Sequence, residues 1–232
     1  MDDEKEINII LYGTSGVGCS ELSEVAIGQK FEINLENSTA WSHREKKFII
    51  NEKKYVVNLW NGPGQEINRS IFKIILKTAN IINLVYDINK RETFYSLKEY
   101  ICIVREILGD NIIGAIVGNK IDLQLPLSEN IFKENDIERE ARKIAKGIGF
   151  KFTLVSAKND INPFIKLLEE LVKDFIERDK ENNILNNKIL KKNYEKKDEK
   201  KKIEEDIKGM DYEKKASLNK NYKLILLKYF SK

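Results

Sequence analysis

The chain is short of the residues that staple, anchor and span. Among 232 residues there are two cysteines, Cys19 and Cys102, which cannot build a disulfide framework and point to a reducing cytoplasm. No run of about 18 apolar residues occurs, so no segment is a candidate for a membrane-spanning helix. The opening MDDEKEINII is acidic, unlike a secretory signal, and Asp2 stands where a myristoylation motif requires glycine. No cysteine follows Cys102, so no prenyl anchor is expected. The single histidine, His43, is expected on a loop as a solvated side chain. Lysines are mixed with glutamates and no aromatic platform interleaves them, which argues against nucleic acid as a partner.

What is present suggests one folded body with an appendage. Hydrophobic residues make up 41% and charged residues 34%, enough for a single core. The charge is uneven: residues 178–232 carry 17 Lys and Arg against 10 Asp and Glu, so this tail is basic. Lys, Glu and Asn dominate it, as in KKNYEKKDEKKKIEED, and it is expected to be disordered or a solvated helix. Its last stretch, YKLILLKYFSK, sets apolar residues among lysines. That pattern suits a peripheral contact with an anionic membrane or a partner, or docking onto its own domain.

Residues 1–177 alternate β-rich runs with helical patterns. INIILY (7–12), FII (48–50), YVVNLW (55–60), IINLVYD (81–87), IIGAIVGNK (112–120) and KFTLVS (151–156) read as strands. Helical patterns cover 18–29, 92–108, 136–148 and 162–178, the last opened by Asn162 as cap and Pro163 at the first helical position. NEKK, between the second and third strands, is hairpin-like. Such alternation predicts an α/β fold, a mostly parallel doubly wound sheet with one antiparallel edge. Ligands in such sheets bind at the carboxyl ends of the strands, where the unusual residues fall.

GTSGVGCS (13–20) follows the first strand with the glycine spacing of a phosphate-binding loop, but Cys19 holds the lysine position. Alone it is also compatible with a structural tight turn. NKID (119–122) and SAK (156–158) end the next strands. The Asp122 carboxylate can accept from both N1 and N2 of guanine, a donor pair adenine lacks, so it reads the base. The Asn119 amide can tie neighbouring loops, the Ala157 N–H can reach guanine O6, and the alkyl stems of Lys120 and Lys158 can flank the ring.

With these motifs the sequence resembles the Ras-like small GTPases, and within them the Rab family, particularly its endosomal branch. LWNGPGQE (59–66) is similar to the family's LWDTAGQE, and IINLVYDINKRETF (81–94) to its IVVVYD stretch and the helix start after it. The resemblance covers about residues 6–177 and implies a three-layer P-loop G domain with a six-stranded sheet. It implies GTP/GDP and Mg²⁺ as cofactors. Gly13, Ser15, Gly16, Val17, Gly18, Cys19 and Ser20 would cradle phosphate, and Phe31 would lie against the base. Gly64 would meet the γ-phosphate and Gln65 would orient the attacking water. Asn119, Lys120, Asp122, Ser156, Ala157 and Lys158 would hold the guanine, while Ser20 and Thr39 (or Ser38) would ligate the metal.

Departures cluster at the phosphate and metal end. Cys19 replaces lysine, and a thiol is a weak donor that carries the wrong sign if ionised. Asn61 replaces the aspartate that supports Mg²⁺, and Gly62-Pro63 replaces Thr-Ala. Of the family's apolar effector trio only Trp60 is retained. Positions near His43-Arg44 and at Ile75-Leu76 diverge, and Trp41 is a candidate to compensate. The sequence is therefore expected to encode a divergent guanine-nucleotide switch in vesicle traffic, weak or inactive in hydrolysis and peripheral on endomembranes. The alternative is a pseudo-GTPase serving as a nucleotide-independent protein-binding module.

Overall fold

The computed structural model describes residues 5–32, 41–62, 69–124 and 136–208. The chain divides into two compact units, Met1–Glu177 and Arg178–Lys232. In the first, six strands form one sheet: β1 (Lys5–Tyr12), β2 (Ser42–Ile50), β3 (Lys53–Asn61), β4 (Ile81–Asp87), β5 (Ile113–Asn119) and β6 (Lys151–Leu154). Their spatial order is β2-β3-β1-β4-β5-β6. Only the β2–β3 pair is antiparallel; every other neighbour runs parallel. The expected mostly parallel sheet with one antiparallel edge strand is what forms.

Alternation along the strands fills two cores. Ile7, Ile9 and Leu11 of β1 face the layer made by α1 (Cys19–Ala26) and α5 (Asn162–Lys208), with Leu22, Phe164, Leu168 and Val172 packed there. Ile10 and Tyr12 face the layer of α2 (Arg69–Leu76), α3 (Arg91–Leu108) and α4 (Asp136–Ile148), against Phe72, Phe94 and Ala141. Because β4 and β5 are buried along their whole length, they read as near-continuous apolar runs rather than alternating ones.

Three elements differ from the expectation. The β2 strand begins at Ser42, not at Phe48, because its first half is a charged edge that reads like a loop. Its polar side chains are tied to α1: Arg44 pairs with Glu24 at 2.6 Å and Lys46 Nζ donates to the Ala26 carbonyl at 2.6 Å. His43 accordingly lies in a strand, not a loop, stacked on Trp60 with ring centroids 4.6 Å apart. The α2 helix is not among the expected helical patterns; its Phe72 and Leu76 bury completely against the second core. The α5 helix starts differently from the expectation: Ile161 supplies the first helical carbonyl to Ile165, and Asp160 Oδ1 accepts the Asn162 N–H at 3.0 Å. The helix continues to Lys208, and the side chains of 181–189 are exposed.

One core residue is out of character. Asn83 in β4 is fully buried, and neither atom of its amide has a hydrogen-bond partner among the described residues. An unpaired buried amide costs about 1–3 kcal/mol, whereas an apolar group of similar shape costs nothing there. Asn83→Leu should raise stability by about 1–2 kcal/mol, read as a higher urea midpoint at unchanged m-value.

Candidate functional site

The carboxyl ends of β1, β5 and β6 deliver three loops to one place. Residues 13–18 leave β1 and feed α1, whose N-cap is Gly18 in the left-handed region at φ 98°. Gly18 must be glycine for a second reason: a Cβ there would lie 2.4 Å from Asn119 Nδ2. At Gly13 a Cβ would lie 2.2 Å from the Val85 carbonyl oxygen, so the loop lies tightly over the end of β4.

Asn119 holds the loops together. Its Nδ2 donates to the Val17 carbonyl at 2.9 Å, and its Oδ1 accepts the Ala157 N–H at 3.2 Å. The Ala157 N–H, expected to face guanine O6, therefore already has an acceptor and would have to be shared with a base. Ser156 Oγ donates to Asp122 Oδ1 at 2.6 Å, which fixes that carboxylate. Lys120 sits at φ 69°, a strained value for a side-chain-bearing residue. Its ammonium donates to the Gly16 carbonyl and pairs with the buried Asp87 at 3.1 Å. Asn89 donates to the Lys120 carbonyl at 2.9 Å and to Asp87 at 3.2 Å, closing the network.

A cavity of about 270 Å³ opens between these loops. Gly16, Gly18, Phe31, Asn119, Lys120, Asp122, Ala157 and Lys158 line it, together with Glu21 and Leu123. Eight of the expected nucleotide residues thus meet around one space. Gly13, Val17 and Ser156 stand behind the wall as its supports, and Ser15 is exposed on the loop. Thr39, Gly64 and Gln65 lie outside the described residues.

A family-wide comparison decides the ancestry. A sequence model of the Ras family matches residues 8–177. Human Ras-related protein Rab-22A is 31% identical over 158 residues, covering 68% of this chain and 78% of that protein. Ras-related protein SEC4 of Saccharomyces cerevisiae is 31% identical over 176 residues, covering 75% and 78%. Human Ras-related protein Rab-31 is 29% identical over 162 residues, covering 68% and 77%. The chain belongs to the Ras family, on its Rab branch. Guanine nucleotide and Mg²⁺ are the ligands that membership implies.

Position 61, where the resemblance places a metal-supporting aspartate, carries an uncharged side chain. Asn61 is buried, with its Nδ2 donating to Ser20 Oγ at 3.0 Å. The hydroxyls of Ser23 and Ser42 stand 3.3 and 3.5 Å from Asn61 Oδ1. Three hydroxyls and an amide thus satisfy one another there. Among the described residues no group of three His, Cys, Asp or Glu side chains could hold a metal ion. Cys19 adds no charge either. Burial, then the nearby Glu21 carboxylate, push its thiol up to about 12, so it is a neutral thiol at neutral pH.

The remaining surface also differs from the sequence reading. Leu76 is buried, so it offers nothing to an effector. On α2 the exposed apolar side chains are Ile71 and Ile74 instead. Trp60 is half-buried, covered by His43, and its Nε1 donates to Asn8 Oδ1 at 3.2 Å. Trp41 packs inward, its ring parallel to Tyr12 and Phe72 at 6.2 Å from each. Glu21, Asp87 and Asn89 were missed; the only sequence signal for Glu21 was an acid directly following the phosphate-loop serine.

Because Lys120 neutralises a buried carboxylate, it supports the fold as well as the ligand site. Lys120→Met should lower stability by about 1–3 kcal/mol with no nucleotide present, and adding Asp87→Asn should recover most of that loss. Thermal unfolding of the two variants checks it.

Proposed function

We propose that this chain is a Rab-like guanine-nucleotide-binding protein of vesicle traffic that hydrolyses GTP slowly or not at all. The observation that carries the reading is the preserved base-reading wall, in which Ser156 fixes Asp122 and Asn119 ties the loops around one cavity. A guanine reader of this detail has no use in a protein that never meets guanine.

Hydrolysis fails for a separate reason. The transition state gathers charge at the phosphates, and the residues there are a neutral thiol and a neutral amide. Losing one charge-assisted hydrogen bond costs about 1.5–3 kcal/mol, which is roughly ten- to a hundredfold. Mg²⁺ prefers an octahedral shell of hard, preferably anionic oxygens. The Ser20–Asn61 cluster does not fit that preference, so no step is assigned to the metal. The basic tail, residues 178–232, is assigned to peripheral contact with anionic membrane. Among the described residues no helix is long and apolar enough to cross a membrane.

The self-satisfied cluster of Ser20, Ser23, Ser42 and Asn61 favours a second reading, a nucleotide-independent binding module. Denaturing the purified protein and assaying the supernatant separates the two. Bound guanine nucleotide supports the first reading. A nucleotide-free protein that also ignores millimolar GTP supports the second. If the loop engages phosphate at all, Cys19→Lys should tighten GDP binding by roughly tenfold or more. The same titration of unsubstituted protein should change less than about threefold when Mg²⁺ is replaced by EDTA, in keeping with the uncharged donor set.

A further inference from the structure

Among the described residues β2 has a strand neighbour on one side only. It comes first in the order β2-β3-β1-β4-β5-β6, so the backbone groups of its outer edge face no described strand. An open edge of 9 residues is a template for pairing with another strand. Its side chains alternate, and His43, Glu45, Lys47 and Ile49 are all exposed on one face. Ile49 is 74% exposed, more than any other large apolar side chain among the described residues.

The order of those residues has a symmetry that the fold itself does not require. Glu45 and Lys47 flank Lys46, and His43 and Ile49 stand equally far from it on either side. When a strand pairs antiparallel with a copy of itself about Lys46, residues equidistant from Lys46 come opposite one another on one face. Glu45 then meets Lys47 of the second copy, and Lys47 meets its Glu45. One contact thus gains two opposite-charge pairs. Ile49 comes opposite His43 of the second copy, whose ring is backed by Trp60 at 4.6 Å. Within the chain the β3 residues opposite Glu45 and Lys47 are the uncharged Asn58 and Val56, so the register with β3 does not account for the charges. On the other face Arg44 and Lys46 are held by α1, through Glu24 and the Ala26 carbonyl, each at 2.6 Å. That draws the Lys46 ammonium away from the axis, where it would otherwise oppose its own copy. Moving the axis to Glu45 or to Lys47 would set either residue against its own copy on the exposed face, so charge selects the register.

We infer that the outer edge of β2 is a homodimer interface, where two copies join their sheets antiparallel about Lys46 into one continuous sheet. The partner is a second copy because the exposed row of β2 is complementary to itself in charge and pairs its exposed isoleucine with an aromatic stack. The contact rests on main-chain hydrogen bonds and two exposed ion pairs, so the dimer is weak and follows protein concentration and salt. It is independent of the guanine-binding reading, since no β2 residue lines the cavity. Dimerisation covers Ile49 and one flank of the His43–Trp60 stack, so the dimer competes with any other partner for that surface.

Sedimentation velocity of the full chain at low ionic strength, over roughly 1–500 µM, tests it. The native chain should move from monomer toward dimer across that range. Glu45→Lys and Lys47→Glu, both at exposed positions, should each weaken the dimer by about tenfold or more, because each turns two attractive pairs into two like-charge pairs. Mixed in equal amounts, the two variants should associate at least as well as the native chain, since the basic edge of one then faces the acidic edge of the other. A native chain that stays monomeric throughout would overturn the inference. A dimer that both single variants retain would overturn it as well, by placing the contact elsewhere. So would a mixture that fails to associate, because the losses would then come from something other than opposed charges.

Discussion

A single buried amide joins the loops that make the site. Asn119 ends β5, yet its side chain reaches the carbonyl of Val17 in the first loop and the N–H of Ala157 in the last. Its own carbonyl accepts the Ile88 N–H after β4. Loops from four strands therefore share one anchor. Both side-chain hydrogen bonds are shielded from water, so an apolar replacement would leave Val17 O and Ala157 N–H unpaired in the interior. Gly18 has to be small because Asn119 approaches so closely. The cavity is a consequence of that approach.

Near the phosphate loop, the uncharged Asn61 sits in a hydroxyl-rich setting. A carboxylate at position 61 would be a buried anion, and burial of an unpaired charge is far more costly than burial of an amide. With lysine absent at 19, an aspartate at 61 would lose its compensating field. Asparagine removes the charge, and Ser20, Ser23 and Ser42 supply it with partners within 3.5 Å. The Cys19 thiol is by nature a weak donor, and desolvation raises its pKa, which favours the neutral form.

The parts of this molecule that were legible in the sequence are those where one physical demand dominates. Strands buried on both faces are mostly apolar, so β4 and β5 declared themselves despite Asn83. A guanine reader needs an acceptor pair and its support, so Asn119, Asp122 and Ser156 stood out by type and spacing. The missed features answer two demands at once. The first half of β2 is a strand in register with β3 but carries the charges of an edge, and so reads as a loop. Glu21 serves the helix dipole and faces the cavity, and either role alone would account for an acid there. Asp87 and Asn89 matter only through Lys120, 31 or more residues away in the chain, a relation that only the sheet topology reveals.

Gly62 belongs to the same logic. A Cβ at that position would lie 2.5 Å from the Trp41 ring, so the threonine found in the family's LWDTAGQE stretch could not be accommodated with Trp41 in this place. Glycine opens the seat, and the indole joins a parallel stack with Tyr12 and Phe72, whose centroids are 3.7 Å apart. Tyr100 meets Tyr12 edge-on at 4.7 Å and closes the cluster. Aromatic pairs of this kind contribute about 0.5–1.5 kcal/mol each beyond the area they bury. The stack ties the residue before β2 and the residue after β3 to β1, α2 and α3. These are the backbone segments that border the phosphate end of the site. Packing holds them there independently of any phosphate contact.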